Sequence, residues 1–360
     1  MTQIEIDKNA LAHNLNTIKK LASGANIIAV IKANAYGLGA VPIAKQLEKL
    51  GVNWLAVAYA QEGVDLRKAG VKAPIMVFYP QKENIPLLIE YTLQPALYSL
   101  DFSDALAKIL MESSAAPFTV HIKCNTGLNR IGLTAEECMT LLSEKEKLPF
   151  AIQSIYSHLG SSEDSRPHAF SDSQVKQFNA IKEKTSALFD SPPMYHILNT
   201  SGVFNYPEYR FDCIRTGIGL YGFANQAQWD KQLTPVARLS TPIVQIHSVN
   251  TGESVGYNQG WVASQPTRIG VLPIGHADGI SRKYGHGVGC VWINQQQAPI
   301  VGNVCMDMLM VDLTGIECKI NDRAIIFDKT HTAESFAQKG NTIVYELLAS
   351  LASRIPRIVH

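Results

Sequence analysis

From about residue 25 the chain alternates short apolar, β-branched runs with longer segments whose apolar residues recur at helical spacing. NIIAVIK (26–32), NWLAVA (53–58), APIMVFY (73–79), LQPALYS (93–99), FTVHIKC (118–124), FAIQSIYSH (150–158), YHILN (195–199) and FDCIR (211–215) read as strands. Helical patterns lie between them, among them AVPIAKQLEKL (40–50), closed by Gly51, and SDALAKILMES (103–113), with Ser103 as its N-cap. Near-continuous apolar strands imply burial on both faces, and intervening helices force parallel pairing through right-handed crossovers. Eight such units predict an α/β fold with an N-terminal (β/α)8 TIM-type barrel rather than an open sheet. After LYGFANQAQWDKQL (220–233) the pattern changes: Arg238 to Asp328 carries short alternating strands broken by NTG, GYNQG, GHADG and NQQQ, and a helical segment follows near Tyr345–Ser353. The barrel is therefore expected over 8–230 and a C-terminal, mainly-β domain over 231–360 together with 1–7.

Composition narrows the partners. Thirty-two Lys and Arg against 31 Asp and Glu leave a net charge of +1 with no basic block, which argues against nucleic acid. The start, MTQIEIDKNA, lacks an apolar signal region and no run approaches membrane-spanning length, so no membrane association is expected. Six cysteines without a CxxC pair fit reduced thiols and a cytoplasmic location better than a disulfide framework or a metal site.

In a (β/α)8 barrel the chemistry gathers where strands end. Lys32, Arg130, His158, Asn199–Thr200–Ser201 and Arg215 fall there, a polar set able to bind an anion and run acid/base chemistry. RTGIGLYG (215–222) contains a formal GxGxxG, but the polar stretch FANQAQWD follows it where a dinucleotide fingerprint needs a helix. Phosphate binding by backbone N–H groups after the eighth strand is the better reading, with hydroxyls of NTSG (199–202) completing the cradle.

AVIKANAYGLGA (29–40) resembles the pyridoxal-phosphate signature of the alanine racemase family, in which the Lys carries the cofactor as a Schiff base. The likeness continues in family order through KCNTGLNRIG (123–132), IYSH (155–158), HILNTSG (196–202), YPEYRFDCIRTGIGLYG (206–222), GESVGYNQG (252–260), PIGHADG (273–279), VGNVCMDMLMVD (301–312) and IVYELL (343–348). It implies pyridoxal 5'-phosphate on Lys32, with Tyr36, Asn199, Thr200, Gly217, Ile218 and Tyr345 among its binding residues and Arg215 at the pyridine nitrogen. It further implies that Arg130 meets the substrate carboxylate, that Tyr257 and Met306 reach in from a second subunit of a homodimer with shared active sites, and that Lys123 is carbamylated. Taken alone, Tyr257 reads as a turn tyrosine, Met306 as core filling and Lys123 as an ordinary strand lysine.

Racemisation removes an α-proton from one face and returns it on the other, so it needs two bases, which the resemblance identifies as Lys32 and Tyr257. A phenol is a weak base near neutrality, and a Tyr257–His158–Arg215 relay from adjoining strand ends would strengthen it. Leu38, Asn125, His276, Asn303 and Met308 depart from the commonest family pattern. None is expected to touch Lys32, Tyr257, His158 or Arg215, and the last three are expected to line the entrance. The implied activity is interconversion of L- and D-alanine for peptidoglycan. The alternatives are a broad-specificity amino-acid racemase, a non-catalytic cofactor-binding barrel, and a basic amino-acid decarboxylase, which would want a carboxylate where Arg215 stands.

Overall fold

The computed structural model describes residues 1–113, 118–164 and 169–360. They form two compact units, one of Leu11–Ala35 and Ala40–Thr234, the other of Met1–Ala10, Tyr36–Gly39 and Pro235–His360. No helix among the described residues is long and apolar enough to cross a membrane.

Strand β1 (Gln3–Ile6) belongs to the second of these units. In the other, β2 (Asn26–Val30), β3 (Trp54–Val57), β4 (Ile75–Val77), β5 (Gln94–Leu97), β6 (Phe118–Lys123), β7 (Phe150–Tyr156), β8 (Met194–His196) and β9 (Cys213–Thr216) form one eight-stranded sheet in the order β8-β7-β6-β5-β4-β3-β2-β9. Every pairing in it is parallel. The Asp212 N–H donates to the Tyr195 carbonyl at 3.0 Å and the Arg215 N–H to Leu198 at 3.1 Å, which brings β9 to β8 and closes the ring. The expected (β/α)8 barrel is thus present. Its strands are buried on both faces, as the unbroken run Ile27, Ile28, Ala29 and Val30 required.

One helix start differs from expectation. The helix Leu100–Ser113 begins three residues before Ser103, and the Phe102 N–H donates to Ser99 Oγ at 3.2 Å. The apolar residues Leu100 and Phe102 extend the buried stripe upstream, so the cap falls on Ser99, and Ser103 lies inside the helix with its hydroxyl buried and unpartnered.

The other unit is mainly β, as expected. Strands β10 (Ala237–Pro242), β11 (Gln245–Val249), β12 (Ser254–Val255), β13 (Trp261–Val262), β14 (Thr267–Leu272), β15 (Cys290–Ile293), β16 (Gln296–Val301), β17 (Leu309–Asp312), β18 (Arg323–Phe327) and β19 (Arg357–Val359) join β1 in it. Nine of these run in the order β11-β14-β17-β16-β15-β18-β10-β1-β19, while β12 and β13 make a separate two-stranded ribbon whose connection carries Tyr257. The terminal helix is shorter than the sequence suggested, Val344–Ala349. Its continuation is drawn away by Arg357, whose Nη atoms donate to the carbonyls of Leu351, Ala352 and Ile355.

Candidate active site

Lys32 follows β2 directly and opens a turn with the wrong hand for L-residues. Ala33 (φ 52°), Asn34 (54°), Ala35 (53°) and Tyr36 (54°) are consecutive left-handed residues, none of them glycine. Such a conformation costs about 1–2 kcal/mol per residue, so the surroundings must hold it. Glu62 does so from one side, accepting the Ala33 N–H at 2.6 Å on Oε1 and the Ala58 and Tyr59 N–H groups at 2.7 and 3.1 Å on Oε2. From the other side Asn34 Oδ1 accepts the Ala40 N–H at 2.8 Å. Burial, and then the charge of Arg130, pull the Lys32 amine below the ordinary lysine range, while Glu62 opposes them.

Arg215 is buried, and its side chain turns into the barrel. Nη1 donates to His196 Nδ1 at 2.5 Å; Nη2 serves His158 Nδ1 at 3.1 Å and the carbonyls of Ser157 and Ile197 at 2.7 and 3.0 Å. His158 and Arg215 do not come from adjoining strands as expected. The strand β8 lies between theirs, and the length of the guanidinium arm spans it. Because a guanidinium only donates, both histidines accept on Nδ1 and carry their proton on Nε2. Burial and the neighbouring cations hold both well below the usual histidine range, so they are neutral. Burial with Arg130 brings Arg215 itself down to about 10, still charged near neutrality.

Behind Arg215 the polar chain continues through residues that sequence reasoning passed over. His196 Nε2 bonds Ser154 Oγ at 2.9 Å, Ser154 bonds His121 Nδ1 at 2.7 Å, and His121 Nε2 reaches Gln94 Oε1 at 3.1 Å, where Trp54 Nε1 also donates. The available signal was a lone polar residue inside each of several apolar strand patterns.

Lys123, at the end of β6, is buried, and desolvation with Arg215 brings its amine down to about 7. Its Nζ donates to the Cys124 carbonyl at 2.6 Å and lies 5.4 Å from the centre of the Tyr156 ring, over which Arg215 also stands at 5.1 Å. Arg130 is exposed on the loop that follows. Asn125 organises that loop, its Oδ1 accepting the N–H groups of Gly127 and Asn129 at 3.1 Å each. An aspartate would accept the same two bonds, and the asparagine adds one that an aspartate cannot make, its Nδ2 donating to Asn129 Oδ1 at 2.9 Å.

The segments after β8 and β9 meet at Thr200. Its Oγ1 accepts the Gly217 N–H at 3.2 Å and the Gly219 N–H at 3.4 Å, and lies 3.2 Å from Thr216 Oγ1. Asn199 caps the short helix Thr200–Asn205 by accepting the Gly202 N–H. A Cβ on Gly219 would stand 2.7 Å from Thr200 Cγ2, so only glycine lets these backbones approach. Ile218 opens a 3-10 turn, Ile218–Tyr221, rather than a nucleotide-binding helix.

In the mainly-β unit Tyr36 and Tyr345 pack with ring centres 5.9 Å apart. Tyr257 and Met306, 70% and 59% exposed, share an open groove of about 690 Å³ with Val255, Cys305 and Met308. Backbone bonds from His276 to the Cys305 carbonyl and from Ala277 to that of Met306 fix the methionine's segment. One expectation fails here: Asn303 does touch Tyr257, its Nδ2 donating to the Tyr257 carbonyl at 3.0 Å, because the 302–303 turn lies directly against the end of β12.

Comparison with known proteins agrees with this geometry. The alanine racemase N-terminal domain family matches residues 6–225 and the alanine racemase C-terminal domain family residues 236–359. Alanine racemase 1 of Clostridium acetobutylicum is 33% identical over 98% of this chain and 94% of its own. Among solved structures, an alanine racemase of Clostridium difficile 630 superposes with a TM-score of 0.93 at 29% identity, covering 100% of this chain and 95% of that one. One from Bartonella henselae, described with covalently bound pyridoxal phosphate, superposes at 0.88 with 27% identity, covering 100% and 99%. Matched along nearly its whole length in sequence and in fold, the chain belongs to the alanine racemase family.

Proposed function

We propose that this protein is a pyridoxal-phosphate-dependent alanine racemase, a cytoplasmic homodimer that interconverts L- and D-alanine and supplies the D-enantiomer for peptidoglycan. The observation that carries the reading is the donor set around Arg215 and Lys32: a buried guanidinium committed to neutral acceptors, and a partly desolvated amine on the strained turn after β2. The residues suit the cofactor. Lys32 would supply the amine, the Thr200 hydroxyl and the Ile218 N–H neutral donors for a phosphate, joined by the Gly217 N–H once it turns from Thr200 Oγ1; Asn199 holds that segment, and by the resemblance Tyr36 and Tyr345 would complete the grip. When bound, the cofactor delocalises the charge left by α-proton removal.

The protein's own groups then manage protons and orientation. Lys32, its amine pulled below the ordinary lysine range by burial, takes or returns the proton on the face that yields D-alanine. Tyr257 of the partner subunit serves the opposite face. His158 holds its proton on Nε2 because Arg215 occupies Nδ1, so it can donate a hydrogen bond to the tyrosine oxygen. Arg215 stays charged, and it would offer the cofactor's ring nitrogen a hydrogen bond rather than a proton, which would weaken the electron sink and disfavour transamination. Arg130 receives the substrate carboxylate, and Met306 of the partner subunit borders the same space. The neutral amine of Lys123, favoured by burial, is the form that adds carbon dioxide, and the resulting carbamate would orient Arg130. The exposure of Tyr257 and Met306 in one open groove supports a dimer in which that groove is filled.

The test is Tyr257→Phe, which removes only the ionisable oxygen. With each alanine enantiomer in deuterated water, α-deuterium should enter D-alanine much faster than L-alanine while racemisation falls. Near-normal racemisation, or equal exchange with both enantiomers, would overturn the two-base reading.

A further inference from the structure

The connection between β12 and β13 is built against the preferences of its residues. Gly256 (φ 79°), Asn258 (57°) and Gln259 (49°) are all left-handed, and only the first of them is glycine. Tyr257 sits within this run and is exposed, so its own packing does little to fix the loop. Something outside the loop must hold it.

The contacts converge on Asn303. Its Oδ1 accepts from Arg282 Nη2 at 3.0 Å and lies 3.2 Å from His286 Nε2, while its Nδ2 donates to the Tyr257 carbonyl at 3.0 Å. The amide has one self-consistent orientation: Arg282 can only donate and the Tyr257 carbonyl can only accept, so oxygen faces one and nitrogen the other. His286 Nδ1 lies 3.1 Å from the Gly260 carbonyl, and since both its partners are acceptors a neutral ring donates to one of them at a time. Backbone approach completes the clamp. A Cβ on Gly260 would stand 2.7 Å from Asn303 Nδ2, one on Gly302 2.9 Å from the Val255 carbonyl, and one on Gly256 2.9 Å from Met310 Cε. The His286 N–H donates to Gly302 O at 2.9 Å, which ties the 285–286 segment to the same point.

We propose that Asn303 is a positioning residue for Tyr257: through its Nδ2–H bond to the tyrosine carbonyl, braced by Arg282 and His286, it sets where the phenol stands. The inference rests on the reading of Tyr257 as the base for one face. It assigns Asn303 no contact with substrate and no share in the chemistry of the Lys32 face.

Asn303→Asp is the discriminating variant. It keeps the oxygen that Arg282 and His286 meet and sets a second oxygen against the Tyr257 carbonyl, so it breaks one bond in a clamp that otherwise stands. Asn303→Ala removes all three bonds. Two measurements are made on the holoenzyme, with Tyr257→Phe as reference: α-deuterium exchange into each alanine enantiomer, and backbone amide exchange of the 256–260 segment by mass spectrometry. Both Asn303 variants should slow exchange into L-alanine relative to D-alanine by on the order of tenfold to a hundredfold, the scale of a misplaced catalytic group. Amide protection over 256–260 should fall while the rest of the chain is unchanged. Loss on both faces alike would mean a general structural role and overturn the proposal, as would unchanged exchange and protection in Asn303→Asp. If Tyr257→Phe itself leaves the two faces equal, the base assignment falls and this inference falls with it. If Tyr257→Phe biases the faces and Asn303→Asp does not, only the positioning role is lost.

Discussion

Arg215 Nη2 stands 3.1 Å from Nδ1 of His158, and this contact decides which nitrogen of the histidine is free to donate. The other nitrogen holds the proton, and surrounding cations with burial keep the ring neutral. His158 therefore acts as a hydrogen-bond donor and not as a second positive charge. We expect His158→Leu to lower racemisation by about a hundredfold or more, the usual worth of a positioned acid/base partner. Exchange of the α-proton should be lost mainly with L-alanine, since Lys32 is untouched. Equal loss with both enantiomers, measured by proton NMR in deuterated water, would detach His158 from the tyrosine face.

Glu62 ties the left-handed turn after Lys32 to its own helix start, Oε1 accepting the Ala33 N–H and Oε2 those of Ala58 and Tyr59. Glu62→Gln keeps the volume but replaces one acceptor oxygen with an amide that cannot accept an N–H. The expected cost is about 0.5–1.5 kcal/mol, the net worth of a hydrogen bond at a site that water still reaches. It should appear as a lower urea midpoint with unchanged slope, together with weaker retention of pyridoxal phosphate on dialysis. A variant as stable as the parent would show that the turn does not depend on Glu62, being held by Asn34 and by the Ala35 N–H bond to the Ile31 carbonyl.

The barrel was legible because its strands are buried on both faces and announce themselves as runs such as Ile27–Val30 and Ile75–Val77. What lay hidden depends on contacts between distant residues. Nothing in the order Lys32-Ala33-Asn34-Ala35 marks a left-handed turn, since alanine favours the opposite hand and the restraint comes from Glu62, far along the chain. Ser103 carried a cap-like residue to the start of an apolar stripe, but the stripe begins with Leu100, and only packing reveals it. The resemblance alone puts Asn303 at the entrance, whereas its bond to Tyr257 joins segments 46 residues apart.

The chain from Arg215 to Gln94 has a consequence for acid stability. Burial presses His121 down to about 3, against an ordinary value of 6.5, and lowers His158 and His196 as well. Since the folded pKa lies below the unfolded one, the unfolded chain takes up the proton first as the pH falls. The contribution of His121 is present in full above 6.5 and is lost progressively towards about 3. Stability should therefore rise with pH across that window, and His121→Gln should flatten the rise. Urea midpoints read by far-UV circular dichroism across the window check this. An unchanged slope in the variant would mean that His121 already takes a proton in the folded barrel.

Lys32 belongs to the barrel unit and Tyr257 to the mainly-β unit, and Tyr257 and Met306 line an open groove on the latter. If each active site takes its lysine from one chain and its tyrosine from the other, the two residues can be restored to one site by mixing defective chains. Lys32→Ala and Tyr257→Phe homodimers should each be inactive or nearly so. A heterodimer of the two has one site with both residues intact and one with neither. After subunit exchange, verified by native mass spectrometry, activity should return towards half that of the parent per heterodimer. Were both bases supplied by the same chain, each site of the heterodimer would still lack one of them, and exchange would restore nothing.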